Sequence, residues 1–447
     1  MDLVERFITV RTFLRILAAI YFVAFVSFGT QALGLIGSHG ILPLGDYLQA
    51  VKESAGPAGW WELPTVLWLT SSDWAIQSVW ILGAACSLLA VAGLWQRAAL
   101  AACLVLWLSI CTAGQDFLSF QWDVLLLEAG FLALFAEESP VRIWLFRWLI
   151  FRLMIFSGLV KLLSGDTAWR NLTALAYHYE TQPLPTPPAW YMYQLPMWFQ
   201  KVSTGFVFLA ELGAPILFFA PRRWRHLGGW ITIALQVLIL LTGNYTFFNL
   251  LAIALAMFLF IEPRQEDRHR AVSLGLAGFI GVVSGLLFLE LFSVAVPGGN
   301  DVLHLISPLR IVNSYGLFAV MTTTRPEILV EGSNDGVNWQ AYEFRYKVGD
   351  VNRAPPVVAP HQPRLDWQMW FAALGTYQQN RWFVNFMIRL LQGEPTVLRL
   401  LRYNPFPAAP PKYIRGELYL YHFTRWGERA WWRREDRGVY FPPASLR

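Results

Sequence analysis

LVKLLSGDTAWRNLTALAYHYETQPLPTPPAW, residues 159–190, starts inside an apolar run and leaves it through a loop dense in Trp, Arg, His, Glu and Pro. Lys161 stands in the apolar part, where an ionisable group is costly and calls for a partner or a purpose. The fold turns on whether this run crosses a bilayer.

The wider composition answers that. Of 447 residues, 55% are hydrophobic and 15% charged, with a mean hydropathy of +0.41, too apolar for an ordinary soluble protein. Runs long enough to cross a bilayer as helices, about 20 residues each, lie near 13–36, 75–95, 98–114, 117–136, 143–163, 199–220, 227–243, 246–262 and 271–295. The expected fold class is an α-helical polytopic membrane protein of about nine transmembrane helices with a C-terminal β-containing extramembrane domain. Arg6, Arg11 and Arg15 surround the start of the first run. Its apolar stretch is longer than a signal-peptide core, so an anchor is expected there.

Charge supplies an orientation. With the N-terminus in the cytoplasm, Arg6, Arg11, Arg15, Arg97, Arg142, Arg147, Arg222, Arg223, Arg225, Arg264, Arg268 and Arg270 fall inside. Only Lys52, Arg170 and Lys201 occupy the short loops opposite. This positive-inside bias and the odd span count send the C-terminus out. The net charge of +5 and pI near 9.1 therefore reflect orientation, and no nucleic-acid partner is expected. Cys86, Cys103 and Cys111 all fall in predicted helices, which leaves no disulfide framework or thiolate zinc site. The sequence has no G-x-S-x-G, P-loop or H-E-x-x-H. No metal or cofactor is expected.

The expected division is a transmembrane part at 1–296 and a β-rich domain at 297–447 on the outer, periplasmic or lumenal, side. Glu327 to Tyr346 reads as two strands around Ser333 to Gly336, whose Asn-Asp-Gly suits a tight hairpin. Asp366 to Leu374 reads as a short amphipathic helix on the membrane or on the bundle. The Trp- and Arg-rich run 425–437 suits a membrane interface or a solvated basic surface equally.

Several polar groups stand out. On a continuous fourth span, Asp116 and Asp123 lie within about 20° and form one acidic stripe, while Glu128 sits about 140° from Asp123. Arg152 and Lys161 on the fifth span are natural counter-charges that would lock the two helices together. Lys161 has two other readings, a desolvated base or substrate anchor and a side chain snorkelling to the outer interface. His178 and Glu180 share a face if the segment is extended and diverge by about 200° if it is helical. Pro183, Pro185, Pro187 and Pro188 stiffen the chain into extended structure, a plausible surface for a protein partner. Asn171-Leu-Thr and Asn244-Tyr-Thr are glycosylation sequons on the predicted outer side. For Asn249, Glu211 and Glu290 the default is a helix-to-helix hydrogen bond.

GLIGSHGILPL (34–44), GQDFLSFQWDVLLLEAGFLALF (114–135), RLMIFSGLVKLLSGDTAWRNLTALAYHYETQPLPTPPAW (152–190), NYTFFNLLAIAL (244–255) and LDWQMWFAAL (365–374) resemble the lipase maturation factor family. The resemblance implies a multi-pass membrane protein that assists the folding of secreted lipases, in the endoplasmic reticulum for animal members. The short, cysteine-poor chain suits a bacterial member in an inner membrane. A second similarity is confined to the helices. Ser157-Gly-Leu-Val-Lys161-Leu followed by Trp169 resembles the vitamin K-dependent carboxylase, in which a lysine at the position of Lys161 is the active-site base.

Two readings follow. The first is a non-enzymatic maturation factor whose loops 34–74 and 165–200 and C-terminal β domain hold a secreted client such as a lipase, beside the lipid bilayer. Its candidate client- or ligand-binding residues are Asp116, Trp122, Asp123 and Glu128 in the fourth span and Trp169, Arg170, Asn171, Tyr177 and Gln182 in the loop. Asn244 and Asn249 complete that set. The second is an intramembrane enzyme with Lys161 as base, assisted by His178 or Glu180. A transporter using the carboxylates of the fourth span comes third, without the inverted repeat such proteins carry.

Overall fold

The computed structural model describes residues 8–446 except 265 and 268. Arg6 and Arg268 therefore lie outside the described residues. In chain order the principal helices are α1 (Val10–Gly29), α2 (Asp73–Ala92), α3 (Gln96–Ala113), α4 (Gln121–Ala133), α5 (Pro140–Leu163), α6 (Ala174–Thr181), α7 (Met197–Phe219), α8 (Arg222–Thr242), α9 (Phe248–Leu259) and α10 (Arg270–Leu291). Among the described residues, seven of these, all but α4, α6 and α9, are long and apolar enough to cross a membrane.

The runs expected at 117–136 and 246–262 are present as the shorter α4 and α9. At 13 residues, α4 rises about 20 Å against a hydrocarbon core of about 30 Å. Its apolar run is broken because Gln115, at φ 48°, takes the chain out of the helical path into the separate turn Gln115–Leu118. The acidic stripe expected of a continuous helix does not form. Asp116 is exposed on that turn, whereas Asp123 is fully buried in the first turn of α4.

The two ends of the bundle differ in character. At one, Arg97 and Arg142 meet Glu137 at 3.3 and 2.8 Å, Arg225 pairs with Glu262, and the Arg264 N–H donates to Glu138 O at 2.9 Å. Arg147 there donates to Phe258 O and Ile261 O at 2.9 and 2.7 Å, filling the carbonyls left free at the end of α9. At the other end the loops at 37–72, 114–120, 164–196 and 243–247 gather under the C-terminal region. Exposed tryptophans ring both ends: Trp60, Trp61, Trp74 and Trp198 near the C-terminal region, and Trp95, Trp144, Trp224 and Trp230 near the arginines. This is the interfacial belt of a membrane protein.

The C-terminal region carries an antiparallel sheet in the order β2-β1-β5-β6, with β1 Arg325–Ser333, β2 Gln340–Ala341, β5 Tyr413–Phe423 and β6 Trp432–Ala444. A second pair joins β3 Glu343–Phe344 to β4 Leu401–Tyr403. The expected hairpin is present, with Glu331 opposite Ala341. Asp335 holds its turn by accepting from the N–H groups of Val337 and Asn338 at 2.9 and 2.8 Å, which keeps its carboxyl well below the usual carboxylate range.

Two helices join sheet to bundle. In α12 (Arg381–Gln392) the buried residues Trp382, Phe383, Phe386, Met387, Leu390 and Leu391 recur at helical spacing and form one face. α11 (Arg364–Ala373) is the helix expected near Asp366 to Leu374. It is buried on every side but that of Phe371, wedged between β1 and the turn at 115–118. It rests on the bundle, not on the membrane.

Candidate functional site

The quoted stretch lines one side of a cavity whose wall includes an irregular turn of α7. Pro215 has no N–H for the carbonyl of Glu211, and Leu209–Gly213 is a π-helical turn. Gly158 lets α5 come close to that turn, since a Cβ there would sit 2.5 Å from Leu212 Cδ2. One turn on, Lys161 Nζ lies 2.9 Å from both Glu211 carboxylate oxygens and donates to Ser157 O at 3.0 Å. It also stands 5.2 Å from the centre of the Trp169 ring. Lys161 is only 3% exposed, so it neither snorkels nor pairs with the fourth span. Its partner is Glu211, for which a helix-to-helix bond was the expectation.

The cavity beside this pair has a volume of about 640 Å³, within the range of small-molecule sites. Its wall is mainly apolar. Lys161, Glu211, Trp169, His178, Gln236 and Tyr245 supply most of its polar character. Trp169 donates its indole N–H to Phe318 O at 2.9 Å. Its position is set by Asp166, which accepts from the N–H groups of Ala168 and Trp169 at 2.7 and 3.1 Å and from Met321 N–H at 2.9 Å.

α6 divides the YHYETQ segment between two tasks. As a helix it sends His178 and Glu180 to different sides, so they form no acid–base pair. His178 Nε2 meets Tyr245 Oη at 3.2 Å, and Phe318 stands edge-on to the imidazole at 4.8 Å. Burial among these rings and the nearby Lys161 charge push its pKa down to about 4, so the ring is neutral at pH 7. Tyr245 Oη donates in turn to Gln182 Oε1 at 3.0 Å. Glu180 faces the sheet and accepts from Phe423 N–H at 2.8 Å, with His422 Nδ1 at 3.3 Å.

Most of the other expected residues clamp the C-terminal region onto the bundle. Asp123 accepts two bonds of 2.9 Å from Arg364, which also donates to Phe117 O at 2.7 Å. Trp122 donates to Gln362. Glu128 pairs with Arg152, as the sequence suggested, and also accepts from Asn313 N–H and Tyr315 Oη at 3.0 and 2.6 Å. Asn244 accepts from the N–H groups of Val358 and Ala359 at 2.7 and 3.0 Å and donates to Pro356 O at 2.8 Å. Asn249 donates to Gln236 Oε1 at 2.9 Å, the interhelical bond expected.

The proline segment is withdrawn from the surface in its first half, while Pro188 stays exposed. Residues 183–186 are buried, and Arg325 donates to Glu180 O and Pro183 O at 2.8 and 2.9 Å while pairing with Glu327. Arg170, Asn171 and Tyr177 remain exposed at this end. Arg325, Arg364 and Tyr245 were not singled out from sequence. Arg364 stands one residue before a block that was, and its only signal was a charge beside an aromatic-rich helix.

The transmembrane domain model of the lipase maturation factors matches residues 8–266, and their C-terminal domain model matches residues 311–442. The chain belongs to the lipase maturation factor family. It is 36% identical to lipase maturation factor 2 of Gallus gallus across 97% of this chain and 81% of that protein. Identity is also 36% to lipase maturation factor 2 of Homo sapiens, covering 97% and 82%. It is 35% to lipase maturation factor 1 of Mus musculus, covering 97% and 86%. No solved structure matches the chain. Within the family frame, the cavity lies in the transmembrane match, while Leu317 and Phe318 from the C-terminal match close one wall of it.

Proposed function

We propose that this multi-pass membrane protein is a maturation factor that receives a secreted client of the lipase kind at the end of the bundle carrying the C-terminal region. Its near full-length relation to maturation factors of both types carries this reading. The arginine-rich end faces the cytoplasm and the C-terminal region faces outward, to the periplasm or the lumen, in line with the positive-inside rule. Residues 1–296 form the membrane part and 297–447 the outer part.

A rigid receiving surface fits a helper that adds no chemistry of its own. Buried Arg325, Arg364 and Asn244 tie the bundle's loops and α4 to the C-terminal region, so this end presents one joined face. Asn171, Tyr177 and the loop at 34–74 are its accessible parts.

The test pairs deletion with capture. In cells lacking the gene, a co-expressed secreted lipase is expected to keep its abundance and lose most of its specific activity. A photo-crosslinking residue at Asn171 or Tyr177 is expected to trap that lipase in cells carrying the gene. Full specific activity in the deletion strain, with no lipase trapped, overturns the reading.

A further inference from the structure

The 640 Å³ cavity lies beside a gap between α7 and α8. α8 packs on the Leu209–Phe219 half of α7, and the two helices part over Met197–Phe208, where α7 turns to α6 instead. Val202 on one side of the gap and Leu238 and Leu241 on the other line the cavity and are 64, 48 and 54% exposed. Both helices are long and apolar enough to span a bilayer. The short helix Pro187–Tyr193 packs on α8 and roofs the gap towards the C-terminal region through Pro188, Tyr191 and Met192.

The wall chemistry narrows the class of occupant. Leu153, Val207, Leu235 and Ile239 give the cavity an apolar stretch suited to a hydrocarbon chain. Lys161 and Glu211 cancel each other, His178 is neutral, and no arginine among the described residues lines the cavity. A phosphate head group would find no unpaired cation. His178, Tyr245 and Ser203 give the cavity neutral polar groups able to meet a hydroxyl or an ester.

We infer that this cavity is a binding site for an uncharged single-chain lipid of the monoacylglycerol class, with its hydroxyl and ester groups beside His178, Tyr245 and Ser203 and its chain between α5, α7 and α8. The lipid enters laterally through the gap between α7 and α8.

The full chain in phosphatidylcholine nanodiscs, labelled with a diazirine-bearing monoacylglycerol, tests this. Crosslinks are expected to concentrate on the cavity-lining peptides of α5, α7 and α8 and to be displaced by excess unlabelled monoacylglycerol but not by phosphatidylglycerol. Val202→Trp and Leu238→Trp place a ring in the gap from exposed positions. Each is expected to cut labelling by about tenfold, the change that some 1.4 kcal/mol of lost binding produces, with an unchanged unfolding temperature. Labelling spread evenly over the lipid-facing helices, labelling that survives both tryptophans, or equal displacement by phosphatidylglycerol overturns the inference. Because the readout is lipid labelling, it stands or falls independently of client maturation.

Discussion

Arg364 and Asp123 face each other across 241 positions of sequence, joined by two bonds of 2.9 Å and both removed from solvent. The pair pins the first turn of α4 to the first turn of α11, and so the bundle to the C-terminal region. Arg364→Ala leaves Asp123 buried without its cation, a loss of about 3–5 kcal/mol. Thermal unfolding in detergent is expected to show a clear fall in midpoint, with the C-terminal region released early to protease. Arg364→Met combined with Asp123→Leu is expected to recover much of the loss, because neither charge is then stranded.

Lys161 and Glu211 separate a structural pair from a catalytic lysine. Lys161→Met alone leaves a buried carboxylate and lowers stability, whereas Lys161→Met with Glu211→Leu restores it. The double variant is expected to support lipase maturation at close to the normal level, measured as secreted specific activity. Loss of that activity in a stable double variant would show that the lysine does more than hold α5 to α7.

Gly158 sets the distance between those helices. Gly158→Val drives a side chain into Leu212, with Glu211 Cβ 3.1 Å from the first added carbon. Overpacking of this kind costs about 1–3 kcal/mol. The unfolding midpoint is expected to drop, and Lys161→Met alone is expected to add less to the drop than in the parent, since the ion pair is already disturbed.

Acid is expected to weaken the fold through two histidines. His178 is held down to about 4 by burial and Lys161, and His361 to about 4 by burial, Arg364 and Arg345. Both folded values lie below the ordinary value near 6.5, so the unfolded chain binds protons more readily. Stability is fully present above about pH 6.5 and falls as pH drops towards 4, by about 1–2 kcal/mol per histidine at pH 5. Unfolding midpoints measured between pH 7.5 and 5 check this, and His361→Gln is expected to flatten the profile.

The two sequons behave differently. Asn171 is exposed, whereas Asn244 is 2% exposed and bonded through both ends of its amide. In a glycosylating host the protein is expected to carry one glycan, lost in Asn171→Gln and unaffected by the sequon-breaking Thr246→Ala. An unglycosylated chain would place this end away from the lumen.

Much of this architecture was legible from local pattern. Apolar run length marked the membrane helices, and arginine placement separated the two ends, which the contacts of Arg97, Arg142 and Arg225 bear out. Asn-Asp-Gly marked the hairpin. The Arg152–Glu128 pair was within reach because its helices are neighbours in sequence. The cavity was not legible, because it depends on where α7 bends and on Phe318, which arrives from another part of the chain.

The opening stretch shows where that boundary lies. By itself the sequence determined that Lys161 sits at the end of a membrane helix and needs a partner, because burying a charge in hydrocarbon is costly whatever surrounds it. Only tertiary structure decided that the partner is Glu211, that Asp123 waits for Arg364, and that α6 turns His178 and Glu180 apart. The reason is physical. In a bilayer the apolar faces of helices are nearly equivalent to one another and to lipid, so hydropathy says which segments are buried and not which ones meet. That choice rests on a glycine that permits approach, a proline that bends a helix, and donors and acceptors that complete one another only once the chain is packed.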